Sequence, residues 1–278
     1  MKQLKSLWIH LTWLSIDVVL GAIAGLLFFF KLFRVNLDPN IFLLLGLAVW
    51  AIYTADHLLD ARNAKELITS RHKFHQKFQS VLLIALGLVV AFGLVYAYLV
   101  LGWSREFYLS LIFGATIFLT MVSLRKAGRL AGILKEISTS IFYVLGVAWI
   151  PLLRADSLDI TWQSLTLLLF YILLAFLNLL MLSFLDRKED QVQGFVSAAS
   201  IVEPDKLILG IRRLSFLIIF GSFASFILFS SFYRPYACLI LMMTFMHFFS
   251  FFNPKLSAHT KRIRTEASFF LPFLLLAL

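Results

Sequence analysis

Apolar residues in this chain do not alternate with polar ones; they run together for about twenty residues and then yield to short polar breaks. Such runs lie near 12–33, 40–59, 79–101, 105–124, 133–153, 162–185, 211–232 and 234–252, with a ninth from 267. A run of that length crosses a hydrocarbon core of roughly 30 Å as a helix. In lipid each segment must satisfy its own backbone polar groups, so helices are the only open-chain solution. The pattern predicts an all-α, polytopic transmembrane helix bundle of about nine helices, forming a single domain over residues 1–278. The ninth run, Ala267–Leu278, is shorter than the seventeen or so residues a spanning helix needs. It is expected to tilt little, thin the bilayer or stop partway.

Composition agrees with the pattern. Hydrophobic residues make up 61% of the chain, charged residues 14%, and mean hydropathy is +0.90, far from the balance of a water-soluble domain. Lys2, Lys5 and the Ala22-Ile23-Ala24 stretch imitate a secretory signal, but Asp17 interrupts the apolar region, which continues through Phe28, Phe29 and Phe30. A retained first helix is the expectation. Placing the N-terminus in the cytoplasm gathers twenty of the 25 Lys and Arg on that side, leaving Lys31, Arg34, Arg105, Arg154 and Arg234 on the other. The net charge of +10 is thereby explained by topology and anionic lipid, and nucleic acid is not an expected partner. The single cysteine, Cys238, excludes an intrachain disulfide.

Only 15 Asp and Glu occur, yet four of them form two i, i+4 pairs: Asp56 with Asp60 in YTADHLLDAR, and Asp186 with Asp190 in SFLDRKEDQ. Each pair closes a span, the second and the sixth, so both fall at the cytoplasmic face. Their separation by four helices suggests a four-helix tandem repeat, helices 1–4 and 5–8, plus one. Carboxylates one helical turn apart share a face and repel unless a cation bridges them. Hard oxygen ligands in two pairs suit Mg²⁺, which completes its shell with water and substrate phosphate. A diphosphate is the natural third party, and Arg71, Arg187 and Lys188 are the first candidates to bind it directly. Tyr53 falls near the first pair, with His57 about a quarter-turn or more away. Asn178 lies two turns deeper than the second pair. His72 and His75 read as solvated loop residues, and Lys135 with Glu136 as an interfacial pair.

These residues resemble the UbiA superfamily of intramembrane prenyltransferases. That family has nine transmembrane helices, an aspartate-rich NxxxDxxxD motif ending the second and a DxxxD motif ending the sixth. Asp56 and Asp60 match the last two positions of the first motif, Asp186 and Asp190 match the second, and Gly194 resembles a glycine that follows it. The resemblance implies that these four aspartates bind Mg²⁺, that a polyprenyl diphosphate is the donor, and that the isoprenyl group passes to a lipophilic acceptor in a cavity open to membrane lipid. It also implies substrate-binding roles for Arg71 and for Lys126, beside Arg125, after the fourth helix. One departure stands out: the motif's asparagine is Ile52 here, and the aspartate that often follows it is Tyr53. A transporter, or a lipid-diphosphate-binding protein without catalysis, is the alternative expectation.

Overall fold

The polar breaks do end the helices. A computed structural model describes residues 11–63, 70–126, 131–193 and 197–277. The long helices are α1 (Ile16–Leu32), α2 (Pro39–Asn63), α3 (Gln79–Leu101), α4 (Arg105–Lys126), α5 (Ala131–Arg154), α6 (Trp162–Gln193), α7 (Pro204–Leu228) and α8 (Arg234–Phe252), followed by the shorter α9 (Ala258–Ser268). Short helices at Ser70–Lys77 and Ala198–Ile201 lie in the breaks, and the described residues contain no strand. Among the described residues seven helices, α2 through α8, are long and apolar enough to cross a membrane, as befits an integral membrane protein.

The centre of the bundle is α1, which packs on α2, α5, α9 and the C-terminal segment. Small residues allow that crowding. A side chain at Gly25 would come within 3.0 Å of both Tyr171 and Val147, and one at Gly21 would meet Phe269 at 3.3 Å. With no hydrophobic drive between helices in lipid, such close backbone approach supplies the van der Waals contact that holds the bundle. Phe28, Phe29 and Phe30 are fully buried, Phe28 lying 5.2 Å from the Tyr171 ring and 5.3 Å from Tyr236. At the other extreme, α3 and α4 form the lipid-facing flank: Leu82 and Phe107 are their only buried residues among those described. Helix α4 is held to α5 by Phe113 stacked on Trp149 at 4.3 Å and by the Trp149 indole donating to Ser110.

Two termini depart from the expected spans. The first is broken at Ser15, which takes a left-handed φ of 58°, so α1 proper begins at Ile16 with Asp17 in its first turn. There the carboxylate lies against the positive end of the helix dipole. At the other terminus, residues 267–277 are not one helix. Ala267 and Ser268 finish α9, and Leu271–Ala277 continues as a 3₁₀-helix packed along α1. A 3₁₀-helix rises about 2.0 Å per residue against 1.5 Å for an α-helix, so the short segment reaches further than its length suggests. At the end of α9, Glu266 shares a small cavity with Asp17, and in the 3₁₀-helix the Leu275 carbonyl accepts from the Lys31 ammonium at 2.8 Å.

The end remote from the acidic pairs is tied by ions. Arg154 binds Glu106 through Nε and Nη2 at 2.9–3.1 Å and Asp38 through Nη1 at 3.0 Å, joining α5 to the starts of α4 and α2. Asp38 also caps α2, accepting from Asn40 N–H at 3.0 Å ahead of Pro39 in the first turn.

Candidate metal and diphosphate site

Near its end helix α2 carries the sequence Asp56-His57-Leu58-Leu59-Asp60, with polar residues on either side of two leucines. Asp56 is exposed, Asp60 half-buried and His57 buried, and one ligand atom from each lies within 4.8 Å of the other two. His57 was expected to point off the face of the pair; its ring instead joins the group. The reason is the helix Ser70–Lys77, which packs back on α2. Its His75 is 1% exposed, with its ring centroid 5.2 Å from that of His57, while Phe74 packs on Trp13 at 5.5 Å. The expectation of a solvated His75 is therefore corrected: Phe74 docks the short helix on Trp13, and His75 is buried against His57 of α2. Tyr53 lies one turn deeper, its ring 6.2 Å from His57 and its hydroxyl within electrostatic range of Asp56, Glu266 and Asp17.

The second acidic segment closes α6 at the same end of the bundle. Asp186 pairs with Arg262 of α9, and Arg262 also lies 3.9 Å from Glu266, one turn along the same helix. Helix α9 is amphipathic: Ser257 caps it by accepting from Thr260 N–H, Thr265 and Ser268 are buried, and Lys261 donates to the Phe251 carbonyl at 2.7 Å. Glu266 thus lies between the two acidic segments, within electrostatic range of Tyr53 on one side and 3.9 Å from Arg262, the partner of Asp186, on the other. Sequence spacing offered no sign of Arg262, which lies far along the chain from either motif.

Arg187 sits roughly 100° around α6 from Asp186. Its guanidinium is 5.9 Å from the Phe184 ring, and with Gln191 it lines an open cavity of about 370 Å³ whose opposite wall is Ala199–Pro204. Lys188 is exposed. The side chains of Asp190, Arg71, His72 and Lys126 lie outside the described residues, as does Gly194. The wall is fixed by two polar side chains. Ser183 accepts from Ala199 N–H at 3.0 Å, and Glu136 accepts from Ala198 N–H at 3.4 Å. Glu136, read from sequence as half of an interfacial pair with Lys135, is in fact 9% exposed and braces the α6–α7 connection.

Asn178 does not reach this end. It contacts His247 of α8 at 3.2 Å, and His247 in turn lies 2.8 Å from the Met243 carbonyl and 3.3 Å from Ser268. The ring is bracketed by two acceptors, the Met243 carbonyl facing Nδ1 and the Asn178 amide oxygen facing Nε2. The network ties α6, α8 and α9 together inside the bundle.

Chemically, two carboxylates and an imidazole converging on one point suit a divalent cation. The carboxylates fit the oxygen preference of Mg²⁺; the imidazole nitrogen also suits Mn²⁺. The neighbouring guanidinium is an anion-recognition group with five N–H donors. No family model, curated protein or solved structure matches the chain.

Proposed function

We propose that the chain is a divalent-metal-dependent intramembrane prenyltransferase that moves an isoprenyl group from a polyprenyl diphosphate to a lipophilic acceptor, as its UbiA-like motifs suggest. The observation that carries this reading is the convergence of Asp56, His57 and Asp60 at the end of an apolar helix, beside an arginine-bearing second acidic segment. That combination suits a ligand with an anionic head and a hydrocarbon tail. Asp56 and Asp60 hold the ion, Mg²⁺ by preference, with His57 as a third donor. When bound, the ion draws the diphosphate to a site that bare carboxylates would repel and makes it a better leaving group. His75 fixes the His57 ring, and Tyr53 closes the site on its membrane side. Arg71, Lys126, Arg187 and Lys188 are candidate diphosphate contacts from the surrounding breaks. In the transfer, the carbon–oxygen bond of the donor breaks with its electron pair leaving on the diphosphate, and a new bond joins the isoprenyl carbon to the acceptor, which gives up a proton. The gathering of Lys and Arg in the breaks at this end supports a cytoplasmic orientation for it.

Mass spectrometry of membrane lipids from cells lacking the gene tests the assignment. The expected result is loss of one prenylated lipid and accumulation of its acceptor, restored by the wild-type gene but not by Asp60→Asn. An unchanged lipid profile contradicts it. One observation favours a second reading, binding of a lipid diphosphate without transfer: Ile52, 51% exposed, stands where the resembling motif has an asparagine. Tight binding of a polyprenyl diphosphate with an unchanged lipid profile would favour that reading.

A further inference from the structure

We infer that Arg262 is the resident cation of the second acidic segment, standing where a second divalent ion would otherwise sit, so that the chain binds one ion, at Asp56, His57 and Asp60. This rests on the proposed metal-dependent reading of the first pair and extends it. Two carboxylates from different helices, Asp186 on α6 and Glu266 on α9, converge on the Arg262 guanidinium. All three side chains are between 28% and 32% exposed, enough shielding from water for the charges to matter to one another. Lys261, the residue before Arg262, is turned instead to the Phe251 carbonyl and ring. A guanidinium is permanently charged and cannot be titrated away near neutral pH. An ion entering between Asp186 and Glu266 would have to displace it. The donors that Asp186 leaves unused can face an anionic oxygen of the diphosphate, so one residue would neutralise the second segment and also help hold the substrate.

The test counts ions. The purified full chain in lipid nanodiscs is titrated with Mn²⁺ and followed by electron paramagnetic resonance. Wild type is expected to bind one ion tightly, to lose it in Asp56→Asn and to keep it in Asp186→Asn. Arg262→Gln should bind a second ion, which the double variant Arg262→Gln/Asp186→Asn loses again. Arg262→Lys, which keeps the charge and guards against a folding defect, should remain at one. A second ion in wild type that disappears in Asp186→Asn overturns the inference, and so does an Arg262→Gln chain that elutes as a single species and still binds one ion, while both leave the first site standing. Absence of Mn²⁺ binding from wild type and from Arg262→Gln overturns the first site as well.

Discussion

At the scale of single residues, the site depends on side chains whose partners lie elsewhere in the chain. His75 does not belong to the ion-binding group but packs on His57, which does. Removing a group that orients a ligand typically costs 10–100-fold in metal affinity. His75→Ala should therefore weaken Mn²⁺ binding by about that factor, measured by the same titration, whereas an unchanged affinity would mean that His57 is held by α2 alone. Asn178 makes a separate case. Asn178→Leu strands the buried His247 ring without its side-chain partner on α6, and an unsatisfied buried polar group costs about 1–3 kcal/mol. Thermal unfolding in nanodiscs should show that loss, with divalent-ion stoichiometry unaffected. The acidic pairs were legible in the sequence because carboxylates are rare in this chain. His57 was not, since helical spacing gives the direction of a side chain's root and not the reach of its tip.

At the scale of elements, the connections between helices are as firmly placed as the helices themselves. Gly132 opens α5 where the Ala198–Ile201 turn crosses it: a β-carbon there would lie 2.5 Å from Ile201 Cδ1 and 2.9 Å from the Ser197 carbonyl oxygen. The backbone oxygen cannot swing aside as a side chain could, so Gly132→Ala must displace the turn. A cost of about 1–3 kcal/mol is expected from such overpacking, read as a lower unfolding temperature and as faster hydrogen exchange at Ala198 and Ala199. At the far end, burial opposes ionisation of Asp38, but hydrogen bonds and charge from Arg154, with Asn40 N–H, outweigh it and hold the carboxyl below its ordinary value of 3.8. The native state therefore binds that proton less readily than the unfolded chain does. The stabilisation is present above the ordinary carboxylate pKa and is lost as pH falls through the depressed native one. Arg154→Met should diminish this acid-side loss in unfolding measured from pH 6 down to pH 3. Long apolar runs made the helices readable, yet the break at Ser15 and the 3₁₀ course of Leu271–Ala277 were not. Both are set by packing on neighbours, which local hydrophobicity does not encode.

At the scale of the whole molecule, two groups of helices meet at α1 and α5, with the lipid-facing α3 and α4 on one flank and the tightly packed α6, α7 and α8 on the other. Helix α9 docks on α8, α1 and α6 and delivers Arg262 and Glu266 to the acidic end. No short motif could have announced that delivery, because it depends on where α9 docks. The central claim is that this end binds a divalent ion in order to cleave and transfer a polyprenyl diphosphate. Its most direct test is the release of inorganic diphosphate from a polyprenyl diphosphate by the purified chain in nanodiscs, supplied with a lipid extract as the source of acceptor. Release that requires Mg²⁺ or Mn²⁺, stops on chelation and is abolished in Asp56→Asn is the predicted result; release that persists without a divalent ion, or undiminished in Asp56→Asn, would contradict it.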